Sequence, residues 1–252
     1  MFCRNVWITS SGSAILPEGR GLKKDPTEEM DGMKRAKAPW RLTGDAYVVA
    51  LKMPERVLEE QSFVRESLKG RRLGGHSRMI YVDYKTSPVG PYRELLFDPG
   101  RFLFDKRPCR TISRIFVSTP ESVVNGLENW GIPKRIAEFE SRTLANGWER
   151  ITVSAEGAVF AELTFSTVRF GFPFSDRWLP PKFRTTAQHY QGQCYFYAPI
   201  TRATMKMGRL RETKIDRRMF PDISGGKFAL CVRLEDFRMW IPAASTVPQT
   251  NA

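Results

Sequence analysis

The sequence predicts a mainly β protein of the α+β class, a barrel or sandwich carrying a few helices. Short runs of β-forming residues recur between proline and glycine turns. Only one segment has a strong helical signature, and no internal repeat or low-complexity tract interrupts the pattern. At 252 residues and 41% hydrophobic composition, the chain fits one large domain or two small ones with a real core, and all-β barrels of this length often form one domain.

Residues 1–37 mix Gly, Ser, Lys, Glu and Asp without steady periodicity, which predicts a mobile N-terminal arm. Order is expected from Pro39 and Trp40, giving a domain over residues 38–245 and a C-terminal tail over 246–252. Residues 45–51 are almost continuously apolar and read as a buried strand. Residues 78–84 and 92–97 form a strand pair, joined by a turn with two prolines and a glycine. Residues 111–118 alternate polar and apolar, as a half-buried strand does.

The helix follows. Thr119 can cap it, Pro120 suits its first turn, Glu121 complements its positive end and Gly131 stops it. Val123, Val124, Leu127 and Trp130 share one apolar face. Beyond it, residues 150–154 and 158–165 read as a hairpin around Glu156 and Gly157, with further strands over 194–198 and 227–234. The clusters 170–174 and 177–181 combine aromatics with prolines and read as poor strand interior. They are candidates for an oligomer contact or a lid over the barrel mouth.

A net charge of +13 fits nucleic acid, acidic membrane or an anionic substrate. The densest basic run, residues 202–218, reads as a solvated strand-loop face, and no standard nucleic-acid-binding motif is present, so no nucleic-acid partner is expected. No stretch approaches the roughly 18 apolar residues of a membrane span, and residues 1–7 make a poor secretory signal. Cys3, Cys109, Cys194 and Cys231 are widely spaced, which favours reduced thiols and a cytoplasmic location. His76 and His189 lack metal-ligand spacing. There is no phosphate loop ending in GK[ST] and no G-x-S-x-G elbow, so neither a metal nor a cofactor is expected.

The segment with chemical content is 125–137, where Lys134 and Arg135 stand side by side after Pro133. A lysine of pKa about 10.4 is neutral only roughly one time in 2,500 at pH 7. Burial near another cation would lower that pKa and free the amine to attack a ketone as a Schiff-base nucleophile. Bringing the Lys134 pKa to near 7–8 would take roughly 3–4 kcal/mol of destabilisation of the ammonium. Arg135 remains charged at all ordinary pH values. Adjacent residues in an extended segment nevertheless point to opposite faces, which would leave burial to supply most of the shift.

The pattern Gly126-x-Glu128-x-x-x-x-Pro133-Lys134-Arg135 resembles the G-R-E-x-x-x-x-P-K-K signature of acetoacetate decarboxylases. Upstream, Gly90-Pro91-Tyr92-Arg93-Glu94 looks like that family's G-x-Y-x-E. The resemblance covers roughly residues 38 to 245. It implies a closed, cone-like antiparallel β-barrel, a homo-oligomer and a small keto-acid or ketone substrate. It also implies a cofactor-independent lyase in which Lys134 forms the imine, with Glu94 as the pocket carboxylate and Arg135 in place of the family's second lysine. Tyr92 and Pro133 belong to the same motifs, and Glu128 is expected to orient the lysine loop. Counted without gaps, a second family glutamate falls on Met79 and an early pocket arginine on Asp45. These departures put strict acetoacetate specificity in doubt, and leave open a non-catalytic barrel that binds a small apolar or anionic metabolite.

Overall fold

The computed structural model describes residues 32–249. Most of the expected arm, residues 1–31, lies outside the described residues, as do 250–252 of the tail. The chain divides into Met1–Met33 and Lys34–Ala252, and all that follows concerns the second unit. Its first strands are β1 (Trp40–Lys52), β2 (Arg72–Gly74), β3 (Ser77–Thr86), β4 (Tyr92–Asp98), β5 (Arg101–Phe104), β6 (Arg107–Arg110), β7 (Arg114–Val117) and β8 (Arg135–Ile136). Next come β9 (Glu138–Thr143), β10 (Glu149–Ala155), β11 (Ala158–Ser175), β12 (Thr186–Tyr190), β13 (Gln193–Tyr197), β14 (Ile200–Ile215), β15 (Lys227–Ile241) and β16 (Ser245–Pro248). Three α-helices intervene: α1 (Glu55–Gln61), α2 (Pro120–Trp130) and α3 (Pro181–Arg184).

Ten strands form one sheet in the order β8-β7-β4-β3-β1-β15-β14-β11-β10-β9. All neighbours are antiparallel except β7 and β8, which run parallel. Its two edge strands, β8 and β9, are the same stretch of chain separated by Ala137 alone. The sheet therefore curls into a nearly closed barrel. Contacts across the interior agree: the rings of Phe116 and Phe160 lie 4.5 Å apart, and Arg93 Nη1 donates to the Phe139 carbonyl at 2.9 Å.

Strand alternation divides the apolar side chains between two cores. Tyr47, Val49, Met79, Leu95, Phe97, Phe116, Ile151 and Leu163 fill the barrel interior. Leu42, Val82, Tyr92, Leu96, Ile115 and Val117 face the other way and pack with Trp130, Ile132 and Tyr197. A second sheet, β16-β13-β12-β6-β5-β2, encloses a smaller core around Phe102, Phe104, Cys109 and Cys194. Cys109, Cys194 and Cys231 are buried free thiols, and burial raises each pKa, to about 11, about 12 and about 11. No helix among the described residues is long and apolar enough to cross a membrane.

Four expectations need correction. Residues 34–38, assigned mainly to the arm, are held along α2: Ala36 and Ala38 donate N–H to Asn125 and Asn129 at 2.7 and 2.8 Å. Residues 246–248, assigned to the tail, belong to β16 and pair with β13. The strand expected over 111–118 is confined to β7, and the chain at Thr111, Ile112 and Ser113 lines clefts instead. Phe170, Phe172 and Phe174 sit within β11 and not in a loop. β10 pairs with β11 only as far as Phe165. Among the described residues, one side of β11 beyond that point is an edge, where Pro173 needs no strand partner for its missing N–H. The basic run 202–218 lies largely on β14 and is mostly exposed, with Lys206 and Lys214 paired to Glu235 and Glu162 at 2.6 and 3.1 Å.

Candidate active site

α2 forms as its sequence dictates. The Thr119 hydroxyl accepts the Ser122 N–H at 3.4 Å, and Pro120 opens the first turn. Gly131 ends the helix at φ 65°, a left-handed conformation that glycine adopts without a Cβ penalty. Its N–H bonds the Leu127 carbonyl at 2.9 Å and the Ile132 N–H bonds the Gly126 carbonyl at 3.1 Å. This double closure turns the chain back on itself, and the Lys134 side chain runs along the helix it has just left.

Gly126 makes that path possible. A Cβ there would stand 2.6 Å from Lys134 Cε and 2.9 Å from Cδ. One helical turn earlier, Ser122 Oγ accepts from Lys134 Nζ at 3.0 Å. Glu94 Oε2 on β4 accepts from the same nitrogen at 3.0 Å. The Tyr92 ring centroid is 5.1 Å from Nζ, and Tyr84 donates its hydroxyl to Glu94 Oε1 at 3.4 Å. The Lys134 and Glu94 side chains are each only 5% exposed.

Lys134 is therefore a buried ammonium in an ion pair, and its pKa is raised, contrary to the lowering expected mainly from burial. Burial pulls it down, but Glu94 and Tyr92 together more than offset that. Burial also raises Tyr92, against the pull of Lys134, so its phenol stays protonated near neutral pH. Glu94 is thus the group that holds the ammonium there. Tyr84 is pushed well up by burial and by Glu94.

This constellation closes one end of a cavity of about 210 Å³. Ile80, Val82, Leu96, Ile115, Trp130 and Ile132 supply apolar walls, and Arg78, Asp98, Asp176 and Arg184 line it as well. Strand register pairs Val82 with Glu94, Ile80 with Leu96 and Arg78 with Asp98. Arg78 therefore starts about 13 Å along the sheet from Glu94, at roughly 3.3 Å per residue. Arg78 donates Nε and Nη2 to Asp98 Oδ2 at 2.9 and 2.6 Å, and Arg110 Nε donates to the same oxygen at 2.5 Å.

The residues expected at the site separate into two groups. Lys134, Glu94 and Tyr92 come together. Arg135 is exposed and lines a different cleft, because successive residues of the extended segment face opposite ways. Pro133 is exposed and lines that same cleft. Glu128 lies two residues beyond Gly126, roughly 200° around the helix. It is exposed and pairs with Arg35, so it does not orient the lysine loop.

Met79 and Asp45 do not line the cavity. Met79 points into the barrel interior, and the cavity-facing residues of β3 beside it are Arg78 and Ile80. Asp45 pairs with Lys85 at 2.9 Å and accepts the Asp236 N–H at 2.8 Å. Sequence reading missed Ser122, Tyr84 and Arg78. Ser122 could have been found, since it precedes Gly126 by four residues and so shares its helix face.

Two outcomes follow for this geometry. Gly126→Ala gains helix propensity worth up to about 1 kcal/mol, but its Cβ would stand 2.6 Å from Lys134 Cε and break a buried ion pair, at a cost of about 3–5 kcal/mol, so melting temperature should fall. Lys134 should be displaced from Glu94 and Ser122 and its reactivity toward an amine reagent altered; a variant with wild-type amine reactivity would contradict the packing. Glu94→Gln removes the group that raises Lys134 and leaves burial, which lowers it. Lys134 should then be labelled by an amine reagent at lower pH than in the parent, measured by mass spectrometry across a pH series. In the parent, the raised pKa contributes stability in full below the ordinary lysine value of about 10.4. That contribution fades as pH climbs through the raised native value.

No protein-family model matches the chain, and no curated protein matches its sequence. Solved structures do match. Acetoacetate decarboxylase from Legionella pneumophila superposes with a TM-score of 0.65 at 11% identity, covering 93% of this chain and 100% of that one. An acetoacetate decarboxylase-like enzyme from Sphingomonas wittichii RW1 gives 0.64 at 12% identity, with 85% and 95% covered. The enduracididine biosynthesis enzyme MppR, complexed with pyruvate, gives 0.57 at 14% identity, with 94% and 99% covered. The strand order, the nearly closed barrel and these superpositions agree that the chain has the acetoacetate decarboxylase-like fold.

Proposed function

We propose that this protein is a Schiff-base enzyme acting on a β-keto acid or a related ketone, with Lys134 as the residue that forms the imine. One observation carries the reading: an enclosed Lys134 amine at the end of a largely apolar cavity, 3.0 Å from both a carboxylate and a hydroxyl. When a carbonyl enters, the ammonium passes a proton to Glu94 and the neutral amine attacks. The attacking nitrogen gives up a second proton to make the carbinolamine hydroxyl, and Glu94 then returns its own proton to that hydroxyl, which leaves as water. The protonated imine then stands where the ammonium stood, paired with Glu94.

The imine serves as its own electron sink, so no separate cofactor is invoked. A β-carboxylate can leave as CO2, its electrons forming an enamine that is then protonated on carbon. Alternatively, the enamine can attack a second carbonyl. MppR has been solved with the condensation product of pyruvate and imidazole 4-carboxaldehyde, which supports keeping carbon–carbon bond formation beside decarboxylation. Arg78 supplies a cation to the same cavity and suits an anionic group on the substrate.

Binding without chemistry is the second reading, and the same ion pair favours it, because a paired ammonium is no nucleophile. Borohydride trapping separates the two. Incubation with acetoacetate or pyruvate should leave a reduced adduct on Lys134, absent from Lys134→Ala. Arg78→Met should weaken trapping of keto acids more than that of acetone. No adduct with any of these carbonyls would favour binding alone.

We also propose that the chain self-associates through the free half of β11. Phe170 is 88% exposed and Trp178 87% exposed beside an unpaired strand edge, the kind of surface that recruits a partner. Sedimentation should show an oligomer that Phe170→Asp with Trp178→Asp dissociates; a monomeric parent would refute this.

A further inference from the structure

A second cleft of about 290 Å³ lies beside the chain segment that carries Lys134, lined among others by Phe63, Ile112, Ser113, Arg114, Pro133 and Arg135. Arg65 lines it too, and no carboxylate does so among the described residues. Arg114 is the unusual member. It is only 8% exposed, yet no ion pair with a described residue serves it. Its Nε donates to the Met219 carbonyl at 2.6 Å. Its guanidinium carbon sits 4.4 and 4.9 Å from the ring centroids of Phe63 and Phe116.

Burying a cation without a counter-charge is strongly unfavourable, and two aromatic faces with one carbonyl compensate only in part. Burial and then the Arg135 charge pull Arg114 down to about 10, and burial lowers Arg65 as well. Two further features converge on the same place. Ser113 Oγ is buried and has no hydrogen-bond partner. Phe63, whose ring covers Arg114, is held at φ 55°, a strained conformation for a bulky residue of the kind that recurs at ligand sites.

We propose that this cleft binds a small organic oxyanion, its phosphate or carboxylate group held by Arg114, Arg65 and Arg135 and its apolar part against Phe63 and Ile112. Pro133 and Arg135 flank Lys134, so a bound anion is gripped by the same segment that presents the lysine to the other cavity. The inference does not depend on the Schiff-base reading, and its test needs no turnover.

Isothermal titration of the full chain with pyrophosphate and with citrate should detect one site whose affinity falls as salt rises. The double variant Arg65→Ala with Arg135→Ala changes two exposed side chains, so its melting should match the parent. Its affinity should fall at least about tenfold, as expected when charge-assisted hydrogen bonds are lost. Preference for pyrophosphate identifies a phosphate ligand, and preference for citrate a carboxylate. Arg78→Met should bind as the parent does, which separates this cleft from the Lys134 cavity. No binding of either probe at millimolar concentration would overturn the proposal. Unchanged affinity in the double variant, or loss of binding in Arg78→Met alone, would overturn it equally.

Discussion

The buried ion pair between Lys134 and Glu94 is the constraint around which this half of the molecule is arranged. An isolated ammonium in that enclosure would be destabilised by several kcal/mol, and removing either partner alone leaves the other charge uncompensated. Three separate pieces of chain are therefore committed to one nitrogen atom: β4 brings Glu94, α2 brings Ser122, and the turn after Gly131 brings Lys134 itself. Gly126 then follows as a necessity, because the lysine stem occupies the space where a Cβ would stand.

The two cores give this arrangement its rigidity. β4 is buried on both faces: Leu95 and Phe97 anchor it to the barrel interior, while Tyr92, Glu94 and Leu96 face α2 and the cavity. A strand fixed from behind has little freedom to shift its register, since a one-residue slip would exchange the two faces entirely. Asp98 at the far end of the same face is also fixed, by two arginines on one carboxylate oxygen. The cavity therefore has a defined polar group at each end and apolar walls between them.

Local signals were legible in the sequence, and non-local ones were not. Thr119, Pro120 and Gly131 mark α2 correctly because caps act within a few residues of themselves. Tyr92 and Glu94 share a face because strand period is 2, which needs no tertiary knowledge. Burial was expected to lower Lys134, but Glu94 and Tyr92, some forty residues earlier, more than offset it, a balance that no local pattern gives. Met79 was misplaced because a single residue of offset sends a strand side chain to the opposite core. Of the smaller sheet only β13 was legible, over residues 194–198, since its strands are only three to five residues long and include a parallel pairing of β6 with β12. Nothing in so short a run announces its partner.

A raised lysine pKa does not by itself oppose imine chemistry. The overall step converts an ammonium and a ketone into a protonated imine and water, and the positive charge is on the same nitrogen at the start and at the end. Glu94 stabilises both cations from the same place, so the equilibrium between them is little changed by it. What Glu94 disfavours is the neutral amine in between, at about 1.36 kcal/mol for each unit by which the pKa is raised. In the proposed reaction, a carboxylate already hydrogen-bonded to the nitrogen would answer that by taking the proton directly, without solvent and without diffusion, and by returning it to the departing oxygen. Under that proposal a neighbouring base would take the place of a neighbouring cation, which lowers a lysine pKa in the resting state. On this logic the role of activation falls to Glu94, and Arg135 is left free to face the other cleft.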